Sequence, residues 1–412
     1  MEVPEAPARI QVGSEAFWKA NLALFVGGLV TFAALYSTQP LLPTFATEFD
    51  ISPATSSLSL SVTSATLAVS LLVAGTLSEA LGRKSMMTAS LLAASVLMLA
   101  TAFSPSFAGL LAARAMQGIA LAGLPAVAVA YLAEEIQPGG LGLAVGLYIG
   151  GNSVGGMTGR IAMGLLADAF GWRLALALVG VGCLLFSLAF WAGLPPSAHF
   201  QPRPIGSPRR VLDPLLAHLR DPALARLYGV GFLLQAGFTP LYNYIAFDLE
   251  APPYRLSQAA VGWIFLTYIF GTLSSAWLGR LADRFGRRRV LWAGVGIMAA
   301  GAAITLTPSL VAKVVGIAVF TFGFFGGHAV ASGWVARRAL EGRAQASSLY
   351  LLLYYLGASV GGAIGGLFWS AGGWPGVVGM ILAILGLAFG VSLQLTRIPP
   401  LAPGMGPAPA GG

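Results

Sequence analysis

Apolar residues along this chain of 412 residues come in long runs, not in the short alternations of strands or the stripes of surface helices. A helix needs about 20 apolar residues to cross a hydrocarbon core. Twelve runs reach that length, near 18–42, 55–79, 86–104, 107–133, 141–167, 173–194, 222–247, 258–280, 290–308, 312–336, 345–370 and 376–396. A polar stretch rich in Pro and Arg separates the sixth from the seventh. The pattern predicts an all-α membrane protein of twelve transmembrane helices in two six-helix halves. Its parts are a cytoplasmic N-terminal tail at 1–16, a bundle at 17–194, a cytoplasmic linker at 195–220, a second bundle at 221–397 and a disordered cytoplasmic tail at 398–412. Within the linker, 211–220 is predicted as a short surface helix.

Composition narrows the function classes. Hydrophobic residues make up 57% and charged residues 9%, against roughly 25% charged in soluble domains. So few charges exclude a soluble enzyme, a nucleic-acid partner and a disordered scaffold. The lone Cys183 forms no internal disulfide, and the sequence implies no metal site and no cofactor. The first 16 residues lack the basic start of a cleaved signal, so the first span is expected to direct insertion. The net charge of +8 reads as topology. With both termini in the cytoplasm, 18 of the 23 Lys and Arg fall on cytoplasmic segments, as positive residues do in membrane proteins.

The halves repeat. Gly75-Thr-Leu77-Ser-Glu79-Ala-Leu81-Gly82-Arg83-Lys84 returns as Gly279-Arg-Leu281-Ala-Asp283-Arg-Phe285-Gly286-Arg287-Arg288. Gly151, Gly155 and Gly159 return as Gly357, Gly361 and Gly365, and Gly171-Trp172 as Gly373-Trp374. Duplicated halves mark secondary transporters, with a site expected between the halves near mid-membrane.

The doubled loop resembles the signature of the major facilitator superfamily, with Glu79 where Asp is typical and Ala80 where a basic residue is common. The resemblance covers nearly the whole chain. It implies that Gly75, Glu79, Gly82, Arg83, Gly279, Asp283, Gly286 and Arg287 gate the outward-facing state; the alternative is loops that only hold orientation. Gly75 and Gly279 are expected at close helix contacts, and Gly82 and Gly286 at tight turns. Arg114-Ala-Met-Gln117-Gly118 resembles the Arg-x-x-Gln-Gly motif that proton-coupled members tie to proton transfer. The fifth span resembles the antiporter motif Gly-x-x-x-Gly-Pro, with Arg160 in place of Pro. Tyr36-Ser-Thr-Gln39-Pro40-Leu-Leu-Pro43 resembles a bacterial drug/proton antiporter subgroup of efflux proteins.

Arg114 and Arg160 sit inside spans at similar depth, so their guanidinium groups must border water, carbonyls or an anion. No carboxylate stands mid-span, which argues against a dedicated cation site. His328 is either a proton carrier or a packing residue; Asp248, at the outer end of the seventh span, is the alternative carrier. Tyr36, Gln39, Asn152, Gln235, Asn243, Tyr268, Tyr354 and Tyr355, with Arg114, Arg160 and His328, are the candidate lining of the substrate site. The reading is a transporter and not an enzyme: a monomer in the cytoplasmic membrane, surrounded by lipid, that exports a small-molecule substrate by proton antiport. An importer or uniporter of an organic anion or sugar is the alternative, and a non-transporting membrane sensor a second one.

Overall fold

The computed structural model describes residues 9–202, 215–339 and 342–397. The expected tail at 398–412 and the first part of the expected surface helix lie outside the described residues. The described chain is almost wholly helical, with one isolated parallel bridge between Ile10 and Ile136.

The helices in chain order are α1 Glu15–Tyr36, α2 Leu42–Glu48, α3 Pro53–Leu81, α4 Arg83–Ala102, α5 Phe107–Leu121, α6 Ala128–Glu135, α7 Pro138–Phe170 and α8 Trp172–Gly193. They continue as α9 Pro222–Glu250, α10 Gln258–Trp263, α11 Tyr268–Phe285, α12 Arg287–Ile304, α13 Leu310–Arg338 and α14 Arg343–Gln394. Among the described residues, seven helical stretches are long and apolar enough to cross a membrane. One of these is two helices joined across non-helical Gly372 and Gly373 inside α14. The architecture fits twelve spans.

Three expected spans are broken where the sequence predicted continuity. Pro40 has no N–H to extend α1, so the first span passes through a 3-10 turn at Gln39–Leu41 before α2. The fourth breaks between α5 and α6, where Gly123 and Pro125 stand. The eighth has a 3-10 turn at Ile264–Thr267 between α10 and α11.

The sequence repeat returns as a repeat of backbone geometry. Gly82 and Gly286 turn at φ 92° and 89°, and Gly171 and Gly373 at 78° and 57°, all in the left-handed region that glycine enters without strain. The two glycine stripes also match. A Cβ on Gly151 or Gly155 would lie 2.2 Å from the Phe25 or Leu29 carbonyl oxygen of α1. One on Gly357 or Gly361 would lie 2.2 or 2.1 Å from the Phe232 or Ala236 oxygen of α9. Small residues let these helix pairs approach to backbone contact. Gly75 and Gly279 depart from expectation: a Cβ on either would meet no described atom within 4 Å. They face open space, so neither is at a close helix contact.

The chain divides into two compact units: residues 1–44, 62–206 and 258–263, and residues 45–61, 207–257 and 264–412. In the first, α10 packs on α7, with Gly262 beside Gly164. In the second, the start of α3 packs on α14, with Ala54 beside Gly366.

Replacing Gly155 by Ala is expected to cost about 2 kcal/mol, because the methyl group overlaps backbone rather than a movable side chain. Gly146→Ala, on the same helix but facing open space, should melt in detergent no lower than the parent.

Candidate functional site

In the first unit the polar groups gather around the broken end of α1. A helix end leaves its last carbonyls without intrahelical partners, and lipid supplies none. Arg114, fully buried on α5, answers them. Its Nη1 donates to the Ala34 oxygen at 3.0 Å and its Nη2 to the Leu35 oxygen at 2.6 Å. Nη1 also donates to Gln117 Oε1 at 2.5 Å, and Gln117 Nε2 donates to the Ala94 oxygen of α4 at 2.9 Å. A Cβ on Gly118 would lie 2.3 Å from the Thr63 oxygen of α3. The Arg-x-x-Gln-Gly motif thus knits α5 to α1, α4 and α3 within a single turn.

Arg160 approaches the same break from α7. Its Nε donates to Gln39 Oε1 at 2.6 Å, its Nη1 to the Gly156 oxygen at 2.5 Å, and its guanidinium lies 3.8 Å from the centre of the Tyr36 ring. The cation–π contact and the amide oxygen stabilise a charge that is 1% exposed. Tyr36, Gln39, Arg114 and Arg160, named from sequence, therefore meet around one helix end. Asn152 stands apart from that cluster, its Oδ1 packed against Gly28.

In the second unit the candidates separate into three groups. Tyr268 joins an aromatic cluster in which the Phe238 and Phe324 rings stack at 3.7 Å. The half-buried His328 extends it: its ring lies 4.6 Å from Tyr354 and stacks on Phe324 at 6.0 Å, and its Nδ1 is 3.0 Å from the Tyr350 hydroxyl. Tyr355 meets Tyr354 edge-on at 5.2 Å. Asn243 and Gln235 lie elsewhere on α9. Asn243 faces Gly362, whose carbonyl accepts from Ser57 Oγ at 3.1 Å and the Tyr244 hydroxyl at 2.8 Å. Gln235 donates to Thr239 Oγ1 at 3.4 Å, and its Oε1 has no partner among the described residues.

Asp248 forms the third group, in an ion pair that sequence reasoning missed. Lys313 Nζ lies 2.8 Å from its Oδ2 and donates to the Thr305 oxygen at the end of α12, 3.0 Å away. Trp374 Nε1 donates to the same oxygen at 3.1 Å. Lys313 is only 4% exposed. It is a lysine alone in an apolar run, which was the available signal. Tyr242 was also missed; its hydroxyl lies 2.9 Å from Thr267 Oγ1 and 2.6 Å from Thr321 Oγ1.

The two repeated loops carry ion pairs of their own. Arg83 pairs with Glu134 of α6 at 2.7 Å and donates to Ser78 Oγ at 2.6 Å, so its carboxylate partner is Glu134 rather than Glu79. Asp283 pairs with Arg287 at 2.8 Å, one turn on, and with Arg337 of α13 at 3.5 Å. Burial first, and then the like charge of Arg337, hold the Arg287 guanidinium below its ordinary pKa, and Asp283 opposes them.

The family model described as the Major Facilitator Superfamily matches residues 24–254 and 227–410. The MFS-type transporter YybF of Bacillus subtilis is 52% identical over 388 residues, 94% of this chain and 96% of its own. The inner membrane transport protein YnfM of Escherichia coli is 44% identical, over 94% of this chain and 93% of its own. A bacterial homologue of the human lysosomal transporter Spinster, solved inward-facing and unoccupied, matches in fold with a TM-score of 0.74 at 18% identity, over 93% of this chain and 98% of that one.

Arg114→Lys keeps a positive charge but loses the planar fork that reaches two carbonyls. It is expected to destabilise the protein by about 2 kcal/mol, read as a lower melting temperature in detergent. An unchanged melting temperature would show that the α1 carbonyls find other partners.

Proposed function

We propose that this chain, which belongs to the Major Facilitator Superfamily, exports a small organic solute across the cytoplasmic membrane in exchange for protons, by alternating access. The transporter class agrees with the relatives above and with the expectation that the chain is not an enzyme. The observation that carries the coupling is the Asp248–Lys313 pair. Two charges taken out of water persist as a pair, because removing one leaves the other uncompensated at several kcal/mol. A proton taken up by Asp248 neutralises the carboxylate and leaves the Lys313 ammonium without its counter-ion. The groups that share Lys313, the Thr305 carbonyl and Trp374, then have to repack. Protonation is in this way linked to movement of the end of α12 against α13 and α14.

The substrate class follows from the lining. The half-buried His328 and Tyr354, set among Phe324, Tyr350 and Tyr355, offer aromatic faces and hydrogen bonds with no carboxylate among them. Such a wall suits an aromatic, hydrogen-bonding solute without a fixed positive charge. Export follows from the likeness of the Tyr36–Pro43 string to drug/proton antiporters. The alternative of an anion or sugar importer drew its support from two intramembrane arginines. Both are engaged with carbonyl and amide oxygens, which removes that argument. Arg83, Asp283 and Arg287 keep the gating role, with Glu134 and Arg337 as their partners.

The test is transport in proteoliposomes carrying a pH-sensitive dye. Addition of an aromatic solute identified by a thermal-shift screen should dissipate an imposed pH gradient. Asp248→Asn should abolish that dissipation while keeping the ligand-induced thermal shift. His328→Ala should lose the shift, and Arg160→Ala should lose flux while still inserting. Solute flux that is indifferent to the gradient would refute antiport and favour a uniporter.

Asp283→Asn separates gating from topology. It should reduce flux at least severalfold with membrane insertion unchanged, whereas equal loss of both would assign the loop to topology alone.

A further inference from the structure

Two aromatic rings flank the Asp248–Lys313 pair, and the proton chemistry above does not use them. Lys313 Nζ lies 5.5 Å from the centre of the Tyr254 ring and 5.3 Å from that of Trp374. Both distances are within the roughly 6 Å over which a ring face attracts a cation. Each ring is also pinned by its polar end. The Tyr254 hydroxyl, on the segment after α9, donates to the Pro308 oxygen at 2.5 Å. Trp374 Nε1 donates to the Thr305 oxygen and hydroxyl at 3.1 and 3.2 Å. The turn between α12 and α13 thus holds both rings against one ammonium.

Few groups face that ammonium. α9 brings Asp248, the segment after it Tyr254, the end of α12 the Thr305 carbonyl, and α14 Trp374. Among the described residues Asp248 is the one carboxylate within ion-pair distance of Lys313. The carbonyl and the indole do not titrate. Burial first, and then the Asp248 charge, hold the Tyr254 hydroxyl above its ordinary pKa, so this ring stays neutral as well.

A buried ion pair can be discharged in two ways. In one, the carboxylate takes a proton from water, and the pair goes from no net charge to a single positive one. In the other, the ammonium passes its own proton to the carboxylate. That leaves an acid and an amine, and no proton is taken up. Only the first way couples proton flow to movement. The choice rests on how well the surroundings hold the ammonium against the neutral amine. A carbonyl and two ring faces all favour the charged form.

We propose, resting on the coupling role given to the pair above, that Tyr254 and Trp374 are positioning residues for proton uptake. Their faces keep Lys313 an ammonium, so that discharge of Asp248 draws its proton from water and not from the lysine. The repeat supplies a contrast. The guanidinium of Arg173 lies 4.2 Å from the ring centre of Trp172, the counterpart of Trp374, and a guanidinium does not give up its proton. A ring there holds a fixed charge. A ring at Lys313 decides where a proton resides.

Infrared spectroscopy of the full chain in detergent tests this without any solute. It follows, as the pH is lowered, the carboxylic-acid stretch that Asp248→Asn removes. In the parent the band should be weak at neutral pH and grow with acid. Loss of one desolvated ring face is worth about tenfold in the transfer from ammonium to carboxylate. In Trp374→Leu the band at neutral pH should therefore be about tenfold stronger than the parent's and rise less on acidification. Tyr254→Leu should move the same way, and Tyr254→Phe, which keeps the ring, should stay nearer the parent. If Trp374→Leu fails to fold, the two Tyr254 variants decide the question. Parental titration in the leucine variants would overturn the proposal, as would a band already strong in the parent at neutral pH. Equal effects of Tyr254→Leu and Tyr254→Phe would overturn it too, by assigning Tyr254 to its hydroxyl tether. The dye assay separates the rings from the coupling itself. Antiport that survives Asp248→Asn refutes the pair, whereas antiport lost there, with the band unmoved by the leucine variants, refutes the rings alone.

Discussion

A membrane core offers no hydrogen bonds, so every carbonyl freed where a helix ends must be met by another part of the chain. That constraint accounts for most of the buried cations described above. Arg114 meets the end of α1, and Arg173 meets the end of α4 by donating to the Ala102 and Ser104 oxygens at 3.2 and 2.8 Å. Lys313 and Trp374 meet the end of α12 at Thr305, and Lys84 meets the end of α8 at Leu194. Each brings a donor, and the cations also bring a positive charge, to the negative end of a helix dipole. A positive charge in a span is thus first a structural element. In the proposed coupling, Lys313 gains a further role from the Asp248 carboxylate that pairs with it.

The duplication shows the same constraint solved twice with different residues. At the turn that begins with Gly171, the cap on α4 comes from Arg173; at the turn that begins with Gly373, the cap on α12 comes from Trp374. The glycine stripes on α7 and α14 are met by α1 and α9 in the same manner. Backbone geometry has been kept between the halves while side-chain chemistry has diverged. Arginines serve as caps and clamps in the first unit, and aromatic rings with one histidine fill the second.

The apolar runs, the repeat and the turns at Gly82 and Gly286 were legible in the sequence, because hydropathy and glycine act locally. The meeting of Tyr36, Gln39 and Arg160 was legible in part, since an arginine inside a span must find oxygen or an aromatic face. What was not legible was who meets whom. Arg83 selects Glu134, 51 residues away, over Glu79, only four residues away, and nothing local distinguishes them. Gly75 and Gly279 looked like contact glycines because the motif repeats them, yet spacing does not say which face a neighbour covers. Lys313 was masked by its place near a span end, where a lysine ordinarily reaches water.

The break in the first span also bears on assembly. Ala34 and the arginine that satisfies its carbonyl are 80 residues apart, with the second and third spans between them. As the chain emerges from the ribosome, α1 enters the bilayer long before α5 exists. Until then its end must stay near water or the insertion machinery. The first span is therefore finished only when the fourth arrives, so its end is closed by a partner made two spans later.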